Sequence, residues 1–261
     1  MVKIHHLNCV EIQSPKYGRA IGHCLLLEAT DRLILIDVGI GLMDTESPLQ
    51  RIGRELIEVT GFKFNEQWTA IKQIKKLGLN PQNVKDCVVS HLDPDHIGGL
   101  VDFPNAKVHV AIEEYNNFKS RNPRYLPHQL NHNPLIKTYS NTTQTWFGFE
   151  ARKVDVGFET EIYLIPLFGH TLGHCGVAVQ QQLKWLFYIG DAYYLKSELT
   201  DYNHPVNELA TIAADDNELR IKTLNRIRKF VSENPNIEIF GFHDIEEYCL
   251  AGEKLEFDKL L

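Results

Sequence analysis

The sequence predicts an α/β fold in which two β-sheets pack face to face with helices on the outside. Three observations carry this. Strand-like runs come first, strands and helical patterns then alternate twice over, and each cluster of histidine and aspartate falls directly after an apolar run. The last observation places the chemistry on strand ends, where a sheet can hold side chains rigidly.

In order, residues 2–13 and 22–28 read as strands parted by the turn-rich Ser14-Pro15-Lys16-Tyr17-Gly18. Leu33-Ile34-Leu35-Ile36 is continuously apolar, as in a strand covered on both faces, and it ends in Asp37-Val38-Gly39-Ile40-Gly41. Asp37 reads equally well as a partner of a metal ligand or as a turn-stabilising aspartate. From Ser47 to Lys76, Leu49, Ile52, Leu56, Trp68, Ile71 and Ile74 suggest helices, with residues 62–67 a surface connection or a flap. Gly78-Leu79-Asn80-Pro81 stops the last of them.

Lys107–Ala111 is strand-like and Ile112–Lys119 helical. Arg121–Gly148, with Pro123, Pro127 and Pro134, shows no clean period, and a loop of that length with several aromatic rings is expected to cap a site. The chain is thus expected to be one domain, 1–261, with a cap or insert at about 112–148, from which His128 and His132 are candidates to touch a substrate. Strands return at Ile162–Leu167, His174–Val179 and Leu183–Ile189. A helix over Asp215–Ser232 follows, its buried face drawn from Leu219, Ile221, Leu224, Ile227 and Val231. A last strand, Ile237–Phe240, leads to a closing helix.

With 261 residues, 43% of them hydrophobic, the chain can bury a full core, and its net charge of −7 argues against a broad phosphate-binding surface and so against nucleic acid. The five cysteines, Cys9, Cys24, Cys87, Cys175 and Cys249, are scattered, odd in number and without a CxxC pair, which suits reduced core residues. No stretch reads as a signal peptide or membrane span, so the expectation is a soluble cytoplasmic protein with a small-molecule substrate and no membrane partner. A homodimer is left open.

The densest chemistry lies in Ser90-His91-Leu92-Asp93-Pro94-Asp95-His96-Ile97-Gly98-Gly99, directly after Cys87-Val88-Val89. Pro94 breaks any continuous ladder, and a bent loop can aim His91 and Asp93 at one ion and Asp95 with His96 at a neighbouring one. An aspartate before a helix is also a common cap, but a cap uses one carboxylate and leaves three groups unexplained. Three further strand ends carry His170 (in Gly169-His170-Thr171-Leu172-Gly173-His174), Asp191 (in Gly190-Asp191) and His243 (in Gly241-Phe242-His243). Taken singly, each reads as readily as a core histidine, a turn aspartate or a cap. His5, His6, His23, His109 and His204 are expected to be structural or exposed, and His174 either to support a ligand or to pack beneath its strand.

The order HxxxDH, GHTxGH, GD and a late histidine resembles the metallo-β-lactamase superfamily of hydrolases, from about Lys3 to the C-terminal region. The resemblance implies a four-layer αββα sandwich and a binuclear metal site. It places one ion on His91, Asp93 and His170, a second on Asp95, His96 and His243, and Asp191 as the bridge. The chain departs from the family's HxHxDH by carrying Asp93 at the second histidine. A third carboxylate lowers the net charge of such a site and favours harder ions, so manganese or iron becomes plausible beside the family's zinc, with a mildly alkaline optimum. The stretch Gly190-Asp191-Ala192-Tyr193-Tyr194 is similar to the GDAxY of the acyl-homoserine lactonase branch, which implies that Tyr194 donates a hydrogen bond to the substrate carbonyl. The function implied is hydrolysis of a small ester or lactone, with acyl-homoserine lactone favoured, by a hydroxide held between the ions and oriented by Asp95. Two readings of other classes stand beside it: a diiron redox protein, whose branch also has an acid at position 93, and a non-catalytic binding protein on the same fold.

Overall fold

The computed structural model describes residues 2–157 and 160–251. Strands β1 (Lys3–Ser14), β2 (Gly18–Glu28) and β3 (Leu33–Ile36) open the chain as antiparallel neighbours. Three short helices follow, α1 (Leu42–Glu46), α2 (Pro48–Arg51) and α3 (Arg54–Thr60), then a two-residue strand β4 (Phe62–Lys63) and helix α4 (Ala70–Lys76). The expected surface connection at 62–67 therefore begins as a sheet edge, with Phe62 paired to Ile12. Next come β5 (Val84–Val88), α5 (Pro94–Ile97), β6 (Lys107–Ala111), α6 (Ile112–Lys119) and β7 (Leu135–Tyr139). Among the described residues these strands form a seven-stranded sheet in the order β4-β1-β2-β3-β5-β6-β7, parallel from β3 onward.

The segment expected to be a cap is thus largely part of the scaffold. Helix α6 is the crossover between β6 and β7, and β7 completes the sheet edge with Lys107 opposite Leu135 and Ala111 opposite Tyr139. Lys137 and Thr138, adjacent in Leu-Ile-Lys-Thr-Tyr, hide that strand in the sequence, because an edge strand with one covered face needs few apolar positions. Only its earlier part, around Asn122–Arg124, reaches the cavity described below.

The second half begins with the hairpin β8 (Thr145–Trp146) and β9 (Phe149–Glu150). A five-stranded sheet then follows from β10 (Arg152–Lys153), β11 (Ile162–Pro166), β12 (Cys175–Gln181), β13 (Lys184–Tyr188) and a later strand β14 (Glu238–Phe240). Between β13 and β14 run α7 (Asn207–Ala213) and α8 (Asn217–Glu233), and α9 (Ile245–Leu250) closes the described chain. One apolar cluster fills the space between the sheets, where Leu25, Ile36 and Val88 share a core with Val177, Tyr188 and Phe240. A second lies between the smaller sheet and α8, where Phe187 and Ile189 meet Leu224, Ile227 and Phe230. The layering is the αββα sandwich expected. The buried face of α8 is rotated from the expected one, with Thr223, Leu224, Ile227 and Phe230 inward and Ile221 43% exposed. No helix among the described residues is long and apolar enough to cross a membrane.

Candidate metal centre

Parallel pairing brings the strand ends together. Ile36 lies beside Val88 and Tyr188 beside Phe240, so the segments leaving β3, β5, β13 and β14 emerge at one rim, joined by the β11–β12 turn that carries His170. Gly190 lets two of these segments touch: a Cβ there would lie 2.7 Å from His174 Nε2, and its φ of +54° is one that glycine adopts without cost.

The histidines are oriented from behind. His96 Nδ1 stands 2.7 Å from Asp37 Oδ2, and Asp37 also accepts from Ser90 N and Ser90 Oγ, each at 2.7 Å. Ser90 Oγ lies 3.0 Å from His91 Nδ1, and His243 Nδ1 lies 2.9 Å from the carbonyl of Ile21. With Ser90 Oγ spending its proton on Asp37, each of the three rings donates through Nδ1 and turns Nε2 toward the cluster, the arrangement by which carboxylates and carbonyls orient metal-binding histidines. Asp37 thus supports the ring of His96, the side chain the sequence offers as a ligand, and it does so at φ +51°, a left-handed conformation aspartate tolerates better than most residues. His174 is neutral, held near 3 by burial; it accepts from Asp191 N at 3.0 Å and donates to the Leu167 carbonyl, so it fixes the segment carrying Asp191.

Two sets of donor atoms result, each within 4.8 Å of one another: His91, His170 and Asp191, and Asp95, His96 and His243. Asp93 borders the first, its Oδ2 being 3.2 Å from His91 Nε2 and 3.1 Å from His170 Nε2. Asp191 faces both sets, 3.5 Å from His170 Nε2, 3.3 Å from His96 Nε2 and 3.4 Å from His243 Nε2. Among the described residues His91 Nε2, His96 Nε2 and Asp191 Oδ1 are buried without a hydrogen bond. Lone pairs facing lone pairs at such distances repel unless a cation or proton lies between them. The spacings are close to the edge of a tetrahedron with bonds of about 2.0–2.1 Å, which is about 3.3 Å, so these residues fit divalent ions.

The electrostatics agree. Burial alone disfavours the charged form of every group here. For His91 it dominates, with His96 beside it, and the ring stays neutral well below the usual range. Burial also works against protonated His96 and His243, but the Asp191 carboxylate outweighs it and raises both. Asp191 is held low, because His243 and His96 overcome burial. Burial raises Asp95, while for Asp93 the Arg124 guanidinium overcomes burial and holds the carboxyl well below its ordinary value.

The floor of a cavity of about 510 Å³ is formed by Asp93, Asp95, His170, Asp191, Tyr194 and His243, and its wall is largely apolar, with Ile12, Leu56, Val59, Phe62, Leu209 and Ile212. Tyr194 is buried with its hydroxyl 3.5 Å from His170 Nδ1. His128 and His132 do not line this cavity. His128 Nε2 instead lies 2.7 Å from the Arg51 carbonyl, because the turn Pro127–Leu130 packs toward α2 rather than over the rim. The remaining histidines lie elsewhere: His5 pairs with Glu28, His6 with His23 and His109 with Asp86, while His204 Nδ1 accepts from Val206 N.

Two residues at the site were not singled out by the sequence. Arg124 grips Asp93. Glu114, buried in α6, accepts from Leu92 N, Tyr125 hydroxyl and Thr171 hydroxyl, tying the loops of His91 and His170 to the segment that carries Arg124. An acidic residue in a first helical turn ordinarily signals only a solvated helix start.

Comparison with known proteins converges on the same reading. Residues 17–232 match the metallo-beta-lactamase superfamily. A probable metallo-hydrolase of Mycobacterium tuberculosis is 33% identical over 275 residues, covering 96% of this chain and 83% of that protein. An N-acyl homoserine lactonase of Bacillus cereus is 26% identical over 231 residues, covering 86% of this chain and 81% of that protein. A solved N-acyl homoserine lactone hydrolase, with the product N-hexanoyl-L-homoserine bound at its catalytic metal centre, shares the fold at a TM-score of 0.72 and 20% identity over 97% of each chain. The match spans both halves of the sandwich and every strand end that feeds the rim except the one bearing His243, and on that ground the chain belongs to the metallo-beta-lactamase superfamily, as one of its metal-dependent hydrolases.

Proposed function

We propose that the protein opens a lactone bearing an apolar acyl chain, N-acyl homoserine lactone being the favoured class, at a site that holds two divalent ions. One would be held by His91, Asp93 and His170 and the other by Asp95, His96 and His243, with Asp191 between them. The observation that carries this reading is the placement of buried, unsatisfied His91 Nε2, His96 Nε2 and Asp191 Oδ1 beneath a cavity with an apolar wall. Such a wall suits an acyl chain, and the polar floor suits an ester carbonyl.

When bound, the ions supply Lewis acidity and make a water at the site acidic enough to attack near neutral pH. The chain's own groups do the rest. Tyr194 donates a hydrogen bond to the carbonyl oxygen as charge gathers there. Asp95 orients the attacking water and passes the proton to the departing ring oxygen. Water adds to the carbonyl carbon, the ring C–O bond breaks, and the product is a hydroxy acid. Leu56, Val59 and Phe62 line the part of the cavity where the acyl arm would lie.

Imidazole-rich sets suit zinc, and the additional carboxylate of Asp93 widens the choice toward manganese or iron. The buried free thiols of Cys9, Cys24, Cys87 and Cys175 suit the reducing cytoplasm. The test combines elemental analysis of protein purified without chelators with turnover of N-hexanoyl homoserine lactone. The expected result is about two ions per chain and ring opening that a chelator abolishes and metal restores. Metal-loaded protein that leaves both this lactone and simple aryl esters intact would overturn the reading.

A further inference from the structure

The carboxylate at position 93 sets this chain apart from the HxHxDH pattern, and the structure shows what comes with it. Arg124 forms a two-pronged contact with Asp93, Nε to Oδ1 at 2.7 Å and Nη2 to Oδ2 at 2.6 Å, with both side chains largely buried. The guanidinium is held in turn: Nη1 donates to the carbonyls of His170 and Ala213 and to Asp215 Oδ1. Asp215 is kept in place by Asn117, Asn122 and the backbone of Leu172. Asp93 precedes α5 as its cap residue, yet its side chain makes no capping bond to the helix.

We propose that Arg124 is a positioning residue that makes Asp93 a ligand for the first metal, an inference that rests on the two-ion reading above. A short carboxylate on a bent loop can present either oxygen in several orientations. A planar fork that takes both oxygens fixes the carboxylate plane, with Oδ2 3.2 Å from His91 Nε2 and 3.1 Å from His170 Nε2, the latter nitrogen also 3.1 Å from Arg124 Nη2. Because Arg124 also pairs with Asp215, its charge is shared between two carboxylates, so orientation rather than surplus charge is the larger part of what it provides. A histidine at position 93 would need no such partner.

Zinc affinity and stoichiometry, read by competition with a chromophoric chelator, test this in a double-mutant cycle of Arg124→Gln and Asp93→His. Wild type is expected to take up two zinc ions. Arg124→Gln is expected to weaken one of the two by on the order of 10–100-fold, the usual effect of removing a group that orients a ligand. In the Asp93→His background the same change is expected to have no further effect on zinc binding. Should Arg124→Gln fail to fold, Arg124→Lys, which keeps charge but loses the fork, is expected to weaken the same ion. An equal loss in both backgrounds would show a merely structural role and overturn the proposal, as would unchanged affinity in Arg124→Gln. A wild type that binds one zinc and gains a second on Arg124→Gln would show that the guanidinium blocks the site. A wild type binding none would overturn the two-ion reading itself.

Discussion

The two halves of the candidate centre are built from the same loop by different means. Behind His96 stands the carboxylate of Asp37, directly after β3, and behind His243 the carbonyl of Ile21 in β2, so both supports come from the larger sheet and its strand ends. Around His170 and Asp93 the support comes from outside them, from Arg124 and its partner Asp215 in connecting segments. The first arrangement is fixed by strand pairing. The second is fixed only once the segment at 122–125 has docked, which makes that half the one open to change.

The largest effect is expected where the halves meet. Asp191 lies within 3.5 Å of ring nitrogens of His96, His170 and His243, so Asp191→Ala should cost both ions and reduce lactone hydrolysis to the detection limit, measured by metal content and turnover together. Loss of only one ion would mean that the halves are independent.

Tyr194→Phe separates chemistry from metal binding. If its hydroxyl stabilises the developing oxyanion, kcat should fall by about 10²-fold with metal content unchanged. An unchanged kcat would return Tyr194 to a packing role.

Asp37→Asn sharpens the contrast from the other side. It should weaken zinc in the half containing His96 by about 10–100-fold, and the other half by less, since Asp37 reaches His91 only through Ser90. Equal losses would show that the sheets support both halves alike.

The same contrast explains what could be read from the sequence. His91, His96, His170, Asp191 and His243 each follow an apolar strand, and parallel pairing of strand ends is a consequence of alternating β and α segments, so fold and cluster were both visible. Strand β7 was hidden because an edge strand can be half polar, and Ile221 misled because an exposed isoleucine fits a helical period as well as a buried one. Arg124 was hidden for a different reason. It stands 31 residues from Asp93 in a segment without period, and a contact across that distance exists only in the folded molecule.

Glu114 joins the two loops at the base of this contrast, and it gives the smallest effect, on stability rather than turnover. Burial raises its carboxyl from 4.5 to about 7, against the pull of its donors Thr171, Leu92 and Tyr125. Between these values the folded chain holds a proton that the unfolded chain has released, so this group's contribution makes the fold less stable as pH rises from about 4.5 to about 7. A shift of that size corresponds to at most about 3 kcal/mol. Glutamine at this position keeps an acceptor and cannot ionise. In chelator-stripped protein, where the titration of the other groups is common to both, Glu114→Gln should therefore lose stability less steeply than wild type across that window in urea unfolding. Parallel curves would mean that Glu114 is ionised throughout, and that its three donors, not its proton, hold the His91 and His170 loops together.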